Sequence, residues 1–315
     1  MKNWLILVAG TAVLALLPLS GDNYLLRLAT IAAMYVVLAQ SWNFIGGLAG
    51  YPSFATAGFF GLGAYTSAIL MSMGVPLLIS WAAAGLSAVL LSAFIGGAIL
   101  HLRGHYFAIA SLVTVEVLRE VVNTTPDLTG GGMGLNLPIM RMSVAEHAMF
   151  FYYSMLALAC ACMACAIVVH KSKLGFGLRC IQQNEDAANI LGINTYFYKT
   201  AGFAFSAVFA GIAGAIYASW VHYIEPPDVF DILLSVKPLV MVLLGGLGTI
   251  FGPVIGAFML LALEEVVWRN FLTLHAAALG VVIVALVLFM PNGLLSVTRE
   301  KFGFRAKKGS PEVKP

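Results

Sequence analysis

Charge is scarce in this chain. Of its 315 residues only 10% are Asp, Glu, Lys or Arg, against about 25% in a soluble domain. So small a charged complement cannot cover a water-soluble globule of this size, and that class is excluded. The net charge is only +3, which removes the dense positive field that nucleic-acid binding needs. High hydrophobicity excludes disorder. Cysteine is sparse too. Cys160, Cys162 and Cys165 share one apolar run and Cys180 lies in a basic segment. With no His or acid inside that run, they read as small buried hydrophobes.

Catalytic and nucleotide-binding patterns are also missing. The chain has no Gly-x4-Gly-Lys-Ser/Thr phosphate loop, no His-Glu-x-x-His and no Gly-x-Ser-x-Gly. His101 and His105 flank Arg103, but two imidazoles without a third ligand make a poor metal site. They read as interfacial or capping residues. The expectation is a chain with no catalytic residue, no metal and no cofactor of its own.

What is abundant is apolar sequence, 61% of the chain, in long unbroken runs. A membrane-crossing helix takes about 20 apolar residues, whereas barrel strands alternate apolar and polar residues over ~10. The expected fold class is an all-α integral membrane protein. It is a polytopic helical bundle of about ten (eight to ten) transmembrane helices with Gly-broken segments. Spans fall near 4–19, 25–45, 54–73, 77–100, 105–122, 148–169, 199–221, 235–249, 252–268 and 272–290. The first reads as an uncleaved span, since no good small-x-small site follows its apolar run. The weakest are 105–122, with Glu116, Arg119 and Glu120, and the short 235–249. If two short segments re-enter, eight crossings remain. Residues 1–298 read as one transmembrane domain with a loop at 170–198. Residues 299–315 read as a basic, disordered cytoplasmic tail.

Basic residues orient the set. Lys2, Arg103, Lys171, Lys173, Arg179, Lys199 and the six between Arg299 and Lys314 gather at one end, 12 of the 17. The positive-inside rule makes that end cytoplasmic, with both termini and the 170–198 loop. The loop 222–235, carrying Glu225, Asp228 and Asp231, falls outside.

Two regions are Gly-rich: Gly46-Gly47-Leu48-Ala49-Gly50, and Gly245-Gly246-Leu247-Gly248 followed by Gly252-Pro253 and Gly256. Gly248, Gly252 and Gly256 recur every four residues, so they are expected on one helix face where backbones pack closely. Ser206, Ala210, Gly214 and Ala218 form a similar stripe. The sharper reading is a broken helix whose freed backbone groups line a polar path, and Gly252-Pro253 favours a break. The two Gly-Gly-Leu runs hint at a repeat, but their spacing does not fit two five-helix halves. Glu116 lies mid-span near Arg119 and Glu120, and Glu264 and Glu265 lie near Arg269. An acid inside a span is a functional hypothesis, although basic neighbours offer local pairing.

The stretch from Lys171 to Lys199 is amphipathic and too polar to cross. Asn184 suits an N-cap, and Glu185 and Asp186 suit the positive first turn. Ala187, Ala188, Ile190 and Leu191 supply apolar contacts, and Gly192 suits the position past the helix end. The pattern predicts a short exposed helix of about two turns. Alone it would be unstable, so it rests on the bundle or in a partner's groove.

These residues carry a resemblance. Glu185-Asp186-Ala187-Ala188, with Gly192 four residues on, resembles the Glu-Ala-Ala…Gly loop of ABC-importer permeases, whose coupling helix docks into the ATPase. Phe176-Gly177-Leu178-Arg179 and Leu191-Gly192-Ile193-Asn194 narrow it to branched-chain amino acid permeases of the LivM type. So do Thr129-Gly130-Gly131-Gly132-Met133-Gly134 and the run from Gly245 to Pro253. The similarity covers roughly residues 25–297. No Leu-Pro follows Gly192, unlike the general loop motif. The resemblance implies a permease subunit of an ATP-driven importer in the bacterial inner (plasma) membrane. Its cargo would be branched-chain or other hydrophobic amino acids, moved by alternating access. The implied partners are a homologous permease, two cytoplasmic ABC ATPases that bind ATP and Mg, and an extracytoplasmic binding protein meeting loops 126–136 and 222–235. Urea, short amides or aromatic acids remain open as cargo. The residues alone also leave open a stand-alone ion-coupled carrier using Glu116.

Overall fold

The computed structural model describes residues 2–138, 142–270 and 280. The expected span at 272–290 (residue 280 apart), Arg141, the side chain of Arg269 and the tail 299–315 lie outside them. The first elements are α1 (Lys2–Ala15), α2 (Asn23–Trp42, extended by a π turn over Asn43–Gly47), α3 (Thr56–Ser72), α4 (Leu77–Ile99), α5 (His105–Asn123) and the single turn α6 (Pro126–Thr129). After β1 (Leu135–Asn136) come α7 (Val144–Lys171), α8 (Lys173–Gln183), α9 (Glu185–Ile190) and α10 (Thr195–Val221). Then β2 (Tyr223–Ile224), the turn α11 (Pro226–Val229), α12 (Leu233–Gly245) and α13 (Gly252–Asn270) complete the set.

Local chemistry sets several of these ends. The Asp22 carboxylate accepts from the Tyr24 and Leu25 amides and starts α2. Ser143 and Glu146 form a reciprocal capping box at the start of α7.

A helix lies at each of the first nine expected spans. Among the described residues, four are long and apolar enough to cross a membrane: Asn23–Gly47, Leu77–Ile99, Val144–Lys171 and Thr195–Val221. The bundle is built around α10, which packs along α3 and α4 and also meets α2, α7 and α8. Small residues make this possible. Ser206, Ala210, Gly214 and Ala218 are all buried on α10. A side chain at Gly214 would strike the Phe60 carbonyl, and one at Gly63 would strike the Gly211 backbone. Without a hydrophobic drive between helices in lipid, such close approach supplies the packing.

Two short helices, α3 and α12, meet inside the bundle. The 17 residues of α3 and the 13 of α12 reach about 26 and 20 Å, less than a ~30 Å hydrocarbon core. Their N-terminal ends meet. Ser235 Oγ donates to the Phe54 carbonyl (2.6 Å) and accepts from the Ala57 amide (2.9 Å). The irregular stretch leading into α3 is largely buried and satisfied by protein. Trp42 Nε1 donates to the Ser53 carbonyl (2.7 Å), and Ser111 Oγ accepts from the Phe54 amide (2.9 Å). Non-helical backbone inside a membrane bundle is tolerated under that condition.

The glycine stripe expected at 248, 252 and 256 is corrected. Helix α12 ends at Gly245, and Gly246 and Gly248 adopt positive φ in the turn before α13. Gly248 therefore shares no helix face with Gly252 and Gly256. Gly252-Pro253 instead opens α13, at a position where Pro's missing amide costs nothing.

The acids on α13 also have partners on other helices. Glu264 pairs with Lys237 of α12 at 2.5 Å, and Glu265 accepts from Tyr24 Oη of α2 at 2.7 Å. Both contacts are tertiary, between elements; the expected pairing with Arg269 lies outside the described residues. Glu116 does pair locally, with Arg119 at 3.6 Å, and its side chain is 56% exposed. A functional intramembrane acid faces the bundle interior, and Glu116 does not.

Candidate coupling site

The 170–198 loop holds two helices, not one. Ser172 caps α8, accepting from the Gly175 amide. Asn184 then turns the chain and caps α9, its Oδ1 accepting from the Ala187 amide at 3.0 Å. Leu191 and Gly192 end α9. Gly192 has φ +83 and open space around it, so only its backbone conformation requires glycine. Its amide bonds the Asn189 carbonyl, and the Ile193 amide bonds Ala188 (both 3.0 Å), a Schellman ending.

This six-residue helix divides its residues sharply. Ala188 is buried at 2%. Ala187, Ile190 and Leu191 are exposed, the last two at 86% and 79%. The described residues therefore do not supply the apolar contacts expected for Ile190 and Leu191.

Glu185 faces inward, whereas Asp186 stays exposed. Glu185 Oε1 accepts from Lys199 Nζ at 2.7 Å, and Glu185 Oε2 accepts from Tyr51 Oη. Arg103 Nε lies 3.3 Å from the same Oε2. The Arg103 guanidinium also grips Asp186 with two hydrogen bonds, 2.8 and 3.1 Å. Lys199 is 3% exposed and donates further to the Leu100 carbonyl (2.6 Å) and to Tyr51 Oη (3.1 Å). Burial pushes the Glu185 carboxyl up, but hydrogen bonds from Lys199 and Tyr51 and the charges of Lys199 and Arg103 outweigh it. The net is a carboxyl below its ordinary range. The Asp186 carboxyl is lowered by its hydrogen bonds to Arg103 and then by that charge.

The glycine regions meet beside this cluster. Asn43 in the π turn accepts from the Gly248 amide (3.0 Å) and donates to the Thr249 carbonyl (2.9 Å). A side chain on Gly47 would strike Asn43 and the Gly248 backbone, and one on Gly46 the Trp42 ring. Across the next turn, Gly245 abuts the Gly252 carbonyl and Gly256 the Met241 carbonyl. Gln182 of α8 donates to the Gly47 carbonyl at 3.0 Å, joining the loop to this crossing. π turns recur at functional positions in helices.

On the opposite side of the bundle, β1 and β2 pair antiparallel, Leu135 opposite Ile224. They join loops 126–136 and 222–235. His147 and His222 lie there with ring nitrogens 2.9 Å apart. Among the described residues no group of three or more His, Cys, Asp or Glu could hold a metal.

Tyr51, Lys199 and Arg103 escaped the sequence reading as site residues. Lys199 and Arg103 were counted only as orienting charges. The available signal was a lysine followed by a long apolar run, where it has no local acid to pair with.

Residues 24–291 match the family described as the branched-chain amino acid transport system / permease component. The LivM permease protein of Escherichia coli K12 is 27% identical over 98% of this chain and 79% of its own length. The LivH permease protein of Salmonella typhimurium is 25% identical over 84% of this chain and 92% of its own. A shorter stretch, 16% of each chain, is 47% identical to the nucleoside permease protein NupC of Lactococcus lactis. No solved structure matches. With most of its length inside the family match, this chain belongs to the branched-chain amino acid ABC permeases, multi-pass proteins of the inner membrane.

Proposed function

We propose that this chain is one transmembrane permease subunit of an ATP-driven importer for branched-chain or other hydrophobic amino acids. The observation that carries the reading is α9. Its acidic face is tied to the bundle, while Ile190 and Leu191 are left exposed beside it. A six-residue helix with unsatisfied apolar residues is built to enter another protein's groove.

The partners are then a homologous permease, two cytoplasmic ATPases and an extracytoplasmic binding protein, assembled in the lipid bilayer. ATP and Mg bind the ATPases, since this chain carries no phosphate loop. The coupling residues are Asn184, Glu185, Asp186, Ala187, Ala188, Leu191 and Gly192. The glycines at 46, 47, 245, 246, 248, 252 and 256, with Pro253, let the half-length helices shift against each other. Loop 170–198 and both chain ends face the cytoplasm, and ten crossings satisfy that arrangement. The loops joined by β1 and β2 face the binding protein. Alternating access then requires α9 to bind the ATP-closed and open ATPase dimers differently.

Affinity capture of the tagged chain from mild detergent tests this reading. Recovery of two ATPases and a second permease is expected, with leucine uptake that stops on ATP depletion. Recovery of the chain alone, with uptake that follows an ion gradient and fails in Glu116→Gln, would establish the carrier instead.

A further inference from the structure

We infer that Lys199 is a positioning residue that locks α9 to the bundle. In this arrangement α9, the 100–104 turn, the stretch around Tyr51 and the start of α10 move as one body. The inference rests on the importer reading, and it assigns the route by which motion of α9 reaches the spans.

Lys199 is in the second turn of α10, near the cytoplasmic end. A lysine there can snorkel to water along its own stem. It does the opposite. Its ammonium is buried, and its three donors meet three acceptors: Glu185 Oε1, the Leu100 carbonyl and Tyr51 Oη. Those acceptors belong to three different parts of the chain. An ammonium has three N–H donors in all, so none is left over. Burying a charge is unfavourable unless it is paired and hydrogen-bonded throughout. The arrangement is therefore held or lost as a unit.

Among the described residues nothing else fastens α9 as firmly. Ala188 is its only buried residue, and a helix this short has little stability of its own. The Arg103–Asp186 pair is 55% and 71% exposed, where solvent weakens ion pairs. Tyr51 completes the closure by accepting from Lys199 and donating to Glu185. A free α9 could follow an ATPase without disturbing the spans. Clamped by Lys199, it drags α10 directly and α3 through the stretch around Tyr51.

The test uses the whole importer in proteoliposomes, with labelled leucine as probe and ATP hydrolysis measured on the same vesicles. Lys199→Met is expected to keep ATPase recovery but lower leucine moved per ATP at least tenfold, with Lys199→Arg restoring much of it. An unchanged ratio of uptake to hydrolysis, with both falling in step with the amount assembled, overturns the inference.

A second measurement does not depend on that variant folding. His101→Cys in the 100–104 turn and Asn189→Cys on α9, both exposed and outside the coupling residues, can be cross-linked by a bifunctional thiol reagent once Cys160, Cys162, Cys165 and Cys180 are replaced by alanine. If α9 and the 100–104 turn move together, the cross-linked importer keeps its uptake. Loss of uptake on cross-linking, with ATPases still bound, overturns the inference. If wild-type vesicles bind no ATPase or show no ATP-dependent leucine uptake, the importer reading itself has failed. That outcome is visible before any variant is compared.

Discussion

At the scale of single residues, Glu185 concentrates three influences on one carboxylate: the N-terminus of α9, donors from Lys199 and Tyr51, and the nearby Arg103 charge. Its carboxyl is held below the ordinary value of about 4.3. A depressed acid contributes stability that is fully present above its unfolded pKa and is lost as pH falls through the folded one. The detergent-solubilised protein should therefore lose thermal stability between about pH 5 and pH 3, and Glu185→Gln should flatten that loss. Parallel melting curves for the two proteins across this window would refute the assignment. Asn184→Ala should cost about 1 kcal/mol through the lost cap, read as a lower melting temperature at neutral pH. The cap was legible because Asn184 and the Ala187 amide it accepts from lie within one turn of each other. The Lys199 cluster was not, because Tyr51 lies 134 residues from Glu185. Only the fold brings them together, and a lone lysine at a span end reads as an orienting charge.

At the scale of elements, glycine spacing was informative but ambiguous. A period of four suits a continuous helix face, and the same spacing survives when the helix breaks between the residues. The Gly-Pro pair carried the discriminating signal, since Pro favours the first position of a helix. The break leaves α12 and α13 side by side, with Gly256 against the Met241 carbonyl and Gly245 against Gly252. Gly256→Val should force the two helices apart and cost about 1–3 kcal/mol, as overpacking does. Gly10→Ala, where nothing lies within 4 Å, is the matched control and should change little. Equal melting temperatures for the two variants would show that the α12–α13 contact is not tight. The long apolar helices were legible throughout because their runs exceed a membrane's thickness. The contacts of Glu264 with Lys237 and of Glu265 with Tyr24 were not legible, since those partners lie on other helices, α12 and α2.

At the scale of the whole molecule, the question is whether α9 is a surface for another protein or only part of the bundle. Neighbouring residues separate the two. Ala188 is buried against the core, so Ala188→Trp should break the local fold by overpacking. Ala187 is exposed beside Ile190 and Leu191. Within this chain Ala187→Trp is a surface substitution, expected to alter stability by no more than about 0.5 kcal/mol. If the exposed side enters an ATPase groove, the added indole has nowhere to go, and the groove loses its fit. The expected result is an Ala187→Trp protein with a wild-type melting temperature that recovers little ATPase and imports little leucine. A variant with full ATPase recovery and full uptake would place the docking surface elsewhere. A variant that melts early would instead mean that Ala187 is held by the bundle. Only the combination of an intact fold with a lost partner identifies α9 as the place where hydrolysis elsewhere becomes movement in these spans.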